Sequence, residues 1–253
     1  MGQEEWLFLG PGEGSIQSEV LSLPLGSGTC GLAIDPLPEL LEREGAAAAL
    51  LNGLVTVCNR ADQDEKTHCF SLDPVLGTWL ELIEPLSYRI QGAQAISLPN
   101  GDMMILGGFD EGPTPRTSIY SLEAKSWMEG PEMPIPWWSN FCAVPLNTTH
   151  TLVTGGEEYQ GWVAESFIFD GASFHRIAAP QYLRSMPGCT LMASGGKVMV
   201  VGGFGPGGHD PDGRALDSVE IYDVASNSWS SGKKLEICFY FAPSPIRKIT
   251  LLC

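Results

Sequence analysis

Three apolar runs along the chain stop at a pair of glycines. "MMIL" (103–106) ends at Gly107–Gly108, "TLVT" (151–154) at Gly155–Gly156 and "VMVV" (198–201) at Gly202–Gly203. The stops lie 48 and 47 residues apart. One interval further back, "LVTV" ends at Cys58–Asn59, and another interval back "WLFL" ends at Gly10–Pro11. Short apolar runs bounded by turn-formers read as strands. A run of small residues precedes four of the stops: "GAAAAL" (45–50), "GAQAIS" (92–97), "FCAVPL" (141–146) and "GCTLMA" (188–193). A run with a central aromatic follows, at Phe70, Tyr120, Phe169 and Tyr222, and then a run opening on a large ring, at Trp79, Trp127, Phe174 and Trp229. In the earliest copy that last position falls near Cys30, and the ring is missing.

The pattern predicts a unit of four short strands repeated about every 48 residues. Small side chains suit an innermost strand crowded near an axis. A glycine pair allows positive φ or close backbone approach where a side chain would clash. The large ring supplies apolar area for packing one sheet on the next. Such a unit cannot bury both faces alone, and radial repetition gives it a neighbour on each side.

Composition agrees with an ordered all-β chain. Of 253 residues, 43% are hydrophobic and 17% charged, with 30 Gly and 19 Pro, which is too apolar for disorder. The net charge of −16 repels phosphate backbones and excludes nucleic acid as the expected partner. No apolar run reaches the ~18 residues of a membrane span, so membrane insertion is not expected. The start, "MGQEEWLFLG", lacks a basic n-region and a long h-region, and also a myristoylation motif. Seven cysteines occur without a CxxC, so neither a zinc ribbon nor a thioredoxin-like motif is expected.

A period near 50 with four strands, a glycine pair, a central aromatic and a Trp resembles the kelch repeat, a β-propeller blade. The resemblance runs over roughly residues 5–253, with units at about 5–44, 45–91, 92–140, 141–187 and 188–240 and a partial unit at 241–253. It implies an all-β propeller of about five four-stranded blades. "FAPSPI" (241–246) matches a small-residue strand, and 249–253 resembles the start of a glycine-ending strand. Two arrangements follow: five blades closed by the C-terminal strand, or a piece of a six-bladed ring, which is the expectation here. The resemblance also implies a non-enzymatic binding module, a scaffold or substrate adaptor for a peptide or protein, without a BTB or F-box segment in this sequence. The alternative is a propeller enzyme, either a copper oxidase or a sialic-acid enzyme.

Several local motifs have weaker readings. "GFGPGG" (203–208) matches GxGxxG, but no helix start follows, so it reads as a long loop between strands. "SLDPVLGTW" (71–79) has one residue too many for a sialidase Asp-box and reads as a hairpin turn. "HDPDG" (209–213) lacks calcium-loop spacing. His68, His150, His175 and His209 share no spacing, and Cys142 and Cys189, at matching points of adjacent inner strands, read as buried core cysteines. No metal or cofactor is expected.

Cys58 ends one strand and Cys69 lies in the next, so a hairpin places them within disulfide reach. "VC…HC" also resembles a pairing in some secreted invertebrate kelch proteins; two free cysteines are the alternative. Asn147-Thr-Thr is a glycosylation sequon at an expected turn. The cytoplasm is the expected compartment, or the extracellular space if Cys58–Cys69 is a disulfide and Asn147 carries a glycan. The connections between units carry large groups: Tyr88–Arg89, Trp137–Trp138, Tyr182 with Arg184, and Phe239–Tyr240. Arg89, Trp137 and Arg184 each precede their glycine pair by 18 residues, so the set is expected to ring one face as partner-binding residues.

Overall fold

The computed structural model describes residues 4–11, 16–23, 35–38, 45–60, 66–108, 115–135, 139–158, 161–193, 195–207, 210–236 and 249–252. The expected binding residues Trp137, Trp138, Phe239 and Tyr240, and the small-residue strand expected at 241–246, lie outside them.

The apolar runs form antiparallel strands as their alternation predicts. β1 (Glu4–Pro11) and β2 (Ile16–Leu23) pair with each other. The next unit has β3 (Ala47–Leu51), β4 (Leu54–Arg60), β5 (Thr67–Leu72) and β6 (Trp79–Glu81). It is followed by β7 (Gln94–Ser97), β8 (Met103–Leu106), β9 (Thr117–Ser121) and β10 (Ser126–Glu129). The fourth unit has β11 (Cys142–Pro145) and β12 (Thr151–Thr154), a ribbon of β13 (Glu157–Glu158) and β14 (Gly161–Trp162), then β15 (Ser166–Phe169) and β16 (Phe174–Arg176). The fifth has β17 (Gly188–Leu191) and β18 (Lys197–Val201), a ribbon of β19 (Phe204–Gly207) and β20 (Asp210–Ala215), then β21 (Val219–Asp223) and β22 (Ser228–Ser231).

Each of these four units is one four-stranded meander with its strands in chain order. The small-residue strands β3, β7, β11 and β17 stand side by side, as the inner strands of successive blades must. The final strand β23 (Ile249–Leu252) pairs with β1 on the side away from β2. The C-terminus thus adds a strand to the first sheet, in the place of an innermost strand rather than of a glycine-ending one.

Period-2 alternation sends every other residue of a blade to the interface on either side. Ala46, Ala48, Val57 and Phe70 pack on one face of the second unit, while Ala47, Ala49, Cys58 and Cys69 pack on the other, against the third. The large rings repeat one set of contacts. Tyr120 meets Trp127 at 5.3 Å between centroids, Phe169 meets Phe174 at 4.9 Å and Tyr222 meets Trp229 at 5.1 Å. Each pair packs into the interface with the preceding blade. The indole N–H groups of Trp79, Trp127 and Trp229 donate to the carbonyls of Asp35, Glu84 and Ala178, all earlier in the chain by about one repeat. One side chain therefore fills the interface and latches it.

The glycine pairs are alike in backbone. Gly107, Gly155 and Gly202 have φ of 57°, 70° and 59°, and Gly108, Gly156 and Gly203 have φ of 108°, 97° and 94°. A Cβ on Gly108 would lie 3.1 Å from the Ile90 backbone, and one on Gly203 would lie 2.7 Å from the Ser185 carbonyl oxygen. The pair is where a blade's second strand passes under the connection leading into that blade.

Candidate functional site

In a four-stranded meander the chain reverses at alternate ends. The connections between blades therefore emerge at the same end as the links from second to third strand. Two of those links carry the ribbons β13–β14 and β19–β20. The ribbons are tied to the connections beside them: Ser139 pairs with Glu157, and Ser185 with Phe204, each through two backbone hydrogen bonds. Across the blades, Trp162 of β14 lies 6.4 Å from Phe204 of β19, ring to ring. A Cβ on Gly213 would lie 2.6 Å from the Trp162 ring, so glycine there lets the indole seat against the second ribbon. The two ribbons thus form one continuous wall.

The connections themselves share a feature hidden in the sequence. Gly45, Gly92, Asn140 and Met186 are spaced 47, 48 and 46 residues apart, and all take positive φ, at 92°, 71°, 53° and 50°. Asn140 N–H donates to Gly92 O at 2.9 Å, and Met186 N–H to Asn140 O at 2.8 Å. A chain of backbone bonds runs from blade to blade at the entry of the inner strands. Asn and, at some cost, Met adopt the left-handed conformation that Gly takes freely, which is why the glycine pattern alone does not reveal it.

The structure sorts the expected binding residues into two kinds. Arg184 is buried, and its guanidinium donates to Glu220 at 2.8 Å, to Ser218 Oγ at 3.0 Å and to Gly202 O at 2.7 Å. Glu220 in turn accepts from Gln181 N–H at 2.6 Å. Burial pulls the Arg184 guanidinium below its ordinary range, and the Glu220 charge opposes that shift. Tyr88 is also buried, and its hydroxyl is 2.9 Å from Ser118 Oγ. These two side chains brace the connections from within. Arg89 and Tyr182 are half-buried, and Tyr182 stacks beneath Arg184 at 5.5 Å. Trp162 was not among the expected residues; its signal was the aromatic in the loop "EEYQGWVAE".

The buried polar atoms without a partner among the described residues are Asn140 Oδ1, Arg184 Nε and Ser185 Oγ. All three belong to the connections between blades. Among the described residues no group of three or more His, Cys, Asp or Glu is placed to hold a metal ion, and no helix is long and apolar enough to cross a membrane. Ser173, His175 and Asp170 form a close cluster on a hairpin, but Ser173 and Asp170 both contact His175 Nε2, at 3.0 and 2.7 Å. One nitrogen cannot relay between them as a nucleophile–base pair requires. "GFGPGG" opens a ribbon strand, and "SLDPVLGTW" is a hairpin turn in which Asp73 Oδ1 accepts from Val75 and Leu76 N–H at 2.8 and 3.0 Å.

The cysteines pair twice. Cys58 and Cys69 are directly opposed in β4 and β5, Cα atoms 4.0 Å apart, and form a disulfide. Cys142 and Cys189 form a second, Cα atoms 6.3 Å apart. The pair lies in the core as expected, but the bond between them was not foreseen. Both side chains turn into the interface between the fourth and fifth units, so equivalent positions on neighbouring inner strands meet.

Four-stranded blades side by side about their inner strands, with loops gathered at one end, define a β-propeller. Residues 186–236 match the model of the Kelch motif. An F-box/kelch-repeat protein of Arabidopsis thaliana is 27% identical over 134 residues, which cover 51% of this chain and 36% of that protein. The match therefore spans about a third of that relative's length. The solved structure of YjhT superposes with a TM-score of 0.73 at 11% identity, covering 92% of this chain and 86% of that one. The chain thus has a β-propeller fold and carries a Kelch motif in its fifth unit.

Proposed function

We propose that the chain is a non-enzymatic binding module that takes a peptide or protein segment on the face built by the blade connections and the two ribbons. The observation that carries this reading is the ribbon wall: Trp162 and Phe204 bring the links of two neighbouring blades together, and each ribbon is tied to the connection beside it. The ribbon wall with Trp162, and the half-buried Arg89 and Tyr182, supply residue types enriched at binding hot spots. With a net charge of −16, the chain draws a segment bearing cations. Non-enzymatic action fits a face whose specific chemistry is hydrogen bonding and aromatic contact.

The compartment belongs to the same reading. Two disulfides favour an oxidising one, where such bonds persist. We therefore read the protein as one of the secretory pathway or cell exterior, against the cytoplasmic expectation.

The test compares loop-face variants with one at the other end. Arg89→Glu, Tyr182→Ala and Trp162→Ala are expected to lose partners captured by crosslinking in the source organism, while Asp170→Ala keeps them. Partners retained by all three loop-face variants would reject the face.

A further inference from the structure

We propose that Asn147 is an N-glycan acceptor, and that the glycan marks the end of the propeller opposite the binding face. The proposal rests on the oxidising-compartment reading above. Asn147-Thr148-Thr149 is the one Asn-X-Ser/Thr sequence in the chain. It forms the tip of the hairpin between β11 and β12, the end away from the ribbons, and all three residues are exposed. The hairpin is closed beneath it by Leu146 N–H donating to His150 O at 2.8 Å.

The tip presents the amide in one orientation. Asn147 Oδ1 accepts from Thr149 N–H at 2.9 Å, from His150 N–H at 2.9 Å and from Thr149 Oγ1 at 3.0 Å. With the oxygen turned into the loop, Nδ2 faces outward and donates no hydrogen bond among the described residues. A glycan there displaces no core contact and breaks no bond of the turn. Thr149 Oγ1 is also 2.8 Å from His150 Nδ1, so the hydroxyl the sequon requires is held beside the acceptor amide.

The step is glycosyl transfer from a polyprenyl-diphosphate-linked oligosaccharide by an oligosaccharyltransferase. The Asn147 Nδ2–C1 bond forms, the C1–O bond to the diphosphate breaks, Nδ2 loses a proton and the polyprenyl diphosphate leaves. A large hydrated group at this end blocks association there and leaves the loop face open.

The test expresses the full-length gene in a eukaryotic cell and reads two things on the purified protein. Free thiols are alkylated without prior reduction and mapped, and mobility is compared before and after peptide-N-glycosidase. Wild type, Thr148→Ala and Thr149→Ser are expected to shift downward on digestion. Asn147→Gln and Thr149→Ala are expected to run at the digested position without treatment. Thr149→Ala keeps both backbone bonds to Asn147 Oδ1, so it reports on the sequon without dismantling the turn. Intact disulfides with no shift in wild type would overturn the glycan while leaving the compartment standing. Alkylation of Cys58, Cys69, Cys142 and Cys189 would remove the compartment and the glycan together.

Discussion

The connections into the third and fifth units start from matched sequence and end in different structures. Arg89 and Arg184 stand at the same register before their glycine pairs. Arg184 is buried, while Arg89 is only half-buried and the neighbouring Tyr88 goes inside instead. Counted from the left-handed residues Gly92 and Met186, Arg184 stands level with the buried Ile90 and Arg89 level with the exposed Leu183. The connection therefore sets which side chain turns inward, and the third strand sets what it meets. Two residues before the central aromatic, the fifth unit has Glu220 and the third has Ser118. A buried guanidinium needs a counter-charge, because desolvating an unpaired ion costs several kcal/mol. Glu220 provides one. Ser118 offers only a hydroxyl, which a phenol satisfies at 2.9 Å. Register fixes where a side chain starts, and the connection together with its partner decides whether it serves as an internal brace or remains near the surface.

Four outcomes would break or sharpen that comparison. The largest is expected for Glu220→Ala, which leaves Arg184 buried and unpaired and costs about 3–5 kcal/mol in chemical denaturation. Trp127→Ala removes a half-buried ring and its latch to Glu84; we expect a loss of about 2–3 kcal/mol, below the range for fully buried aromatics. Tyr88→Phe removes the hydroxyl that meets Ser118 Oγ and costs about 1 kcal/mol. If it matched Glu220→Ala, the two braces would be equivalent and the contrast would fail.

The smallest effect is in alkaline solution. Burial raises the pKa of Tyr120 and of Tyr222, with the charges of Glu84 and Asp223 adding to it, while a hydrogen bond at Ile83 works against the shift for Tyr120. A raised folded pKa means that the folded state holds its proton longer. The stabilisation is full below the ordinary tyrosine range near ~10 and is lost as pH rises through the folded values. Tyr120→Phe is expected to flatten part of that alkaline decline in a pH series of denaturation midpoints; an unchanged slope would rule out Tyr120 as a contributor.

Much of the frame was legible in the sequence because the repeat is carried by residue types with one physical job. Glycine pairs at positive φ, a central aromatic and a latching Trp recur where the geometry demands them. The Cys58–Cys69 pairing was legible because both residues lie in one hairpin. The inner-strand pair Cys142–Cys189 was visible as matched positions, but which interface each side chain enters depends on strand alternation across two blades. The left-handed ring of Gly45, Gly92, Asn140 and Met186 was hidden because two of its members are not glycine. The ribbon wall was hidden too, since β13 and β14 are two residues each and carry no hydrophobic period. On the face itself, large side chains in the connections read alike until their partners are known.

The most direct test is a pair of double-mutant cycles measured by equilibrium denaturation. For Arg184→Met with Glu220→Leu, the account predicts that each single variant is strongly destabilised, that the double variant recovers much of the loss, and that coupling is about 2–3 kcal/mol. For Arg89→Met with Ser118→Ala it predicts additivity within about 0.5 kcal/mol. Equal coupling in the two cycles would contradict it, because matched register alone would then decide what a connection residue does.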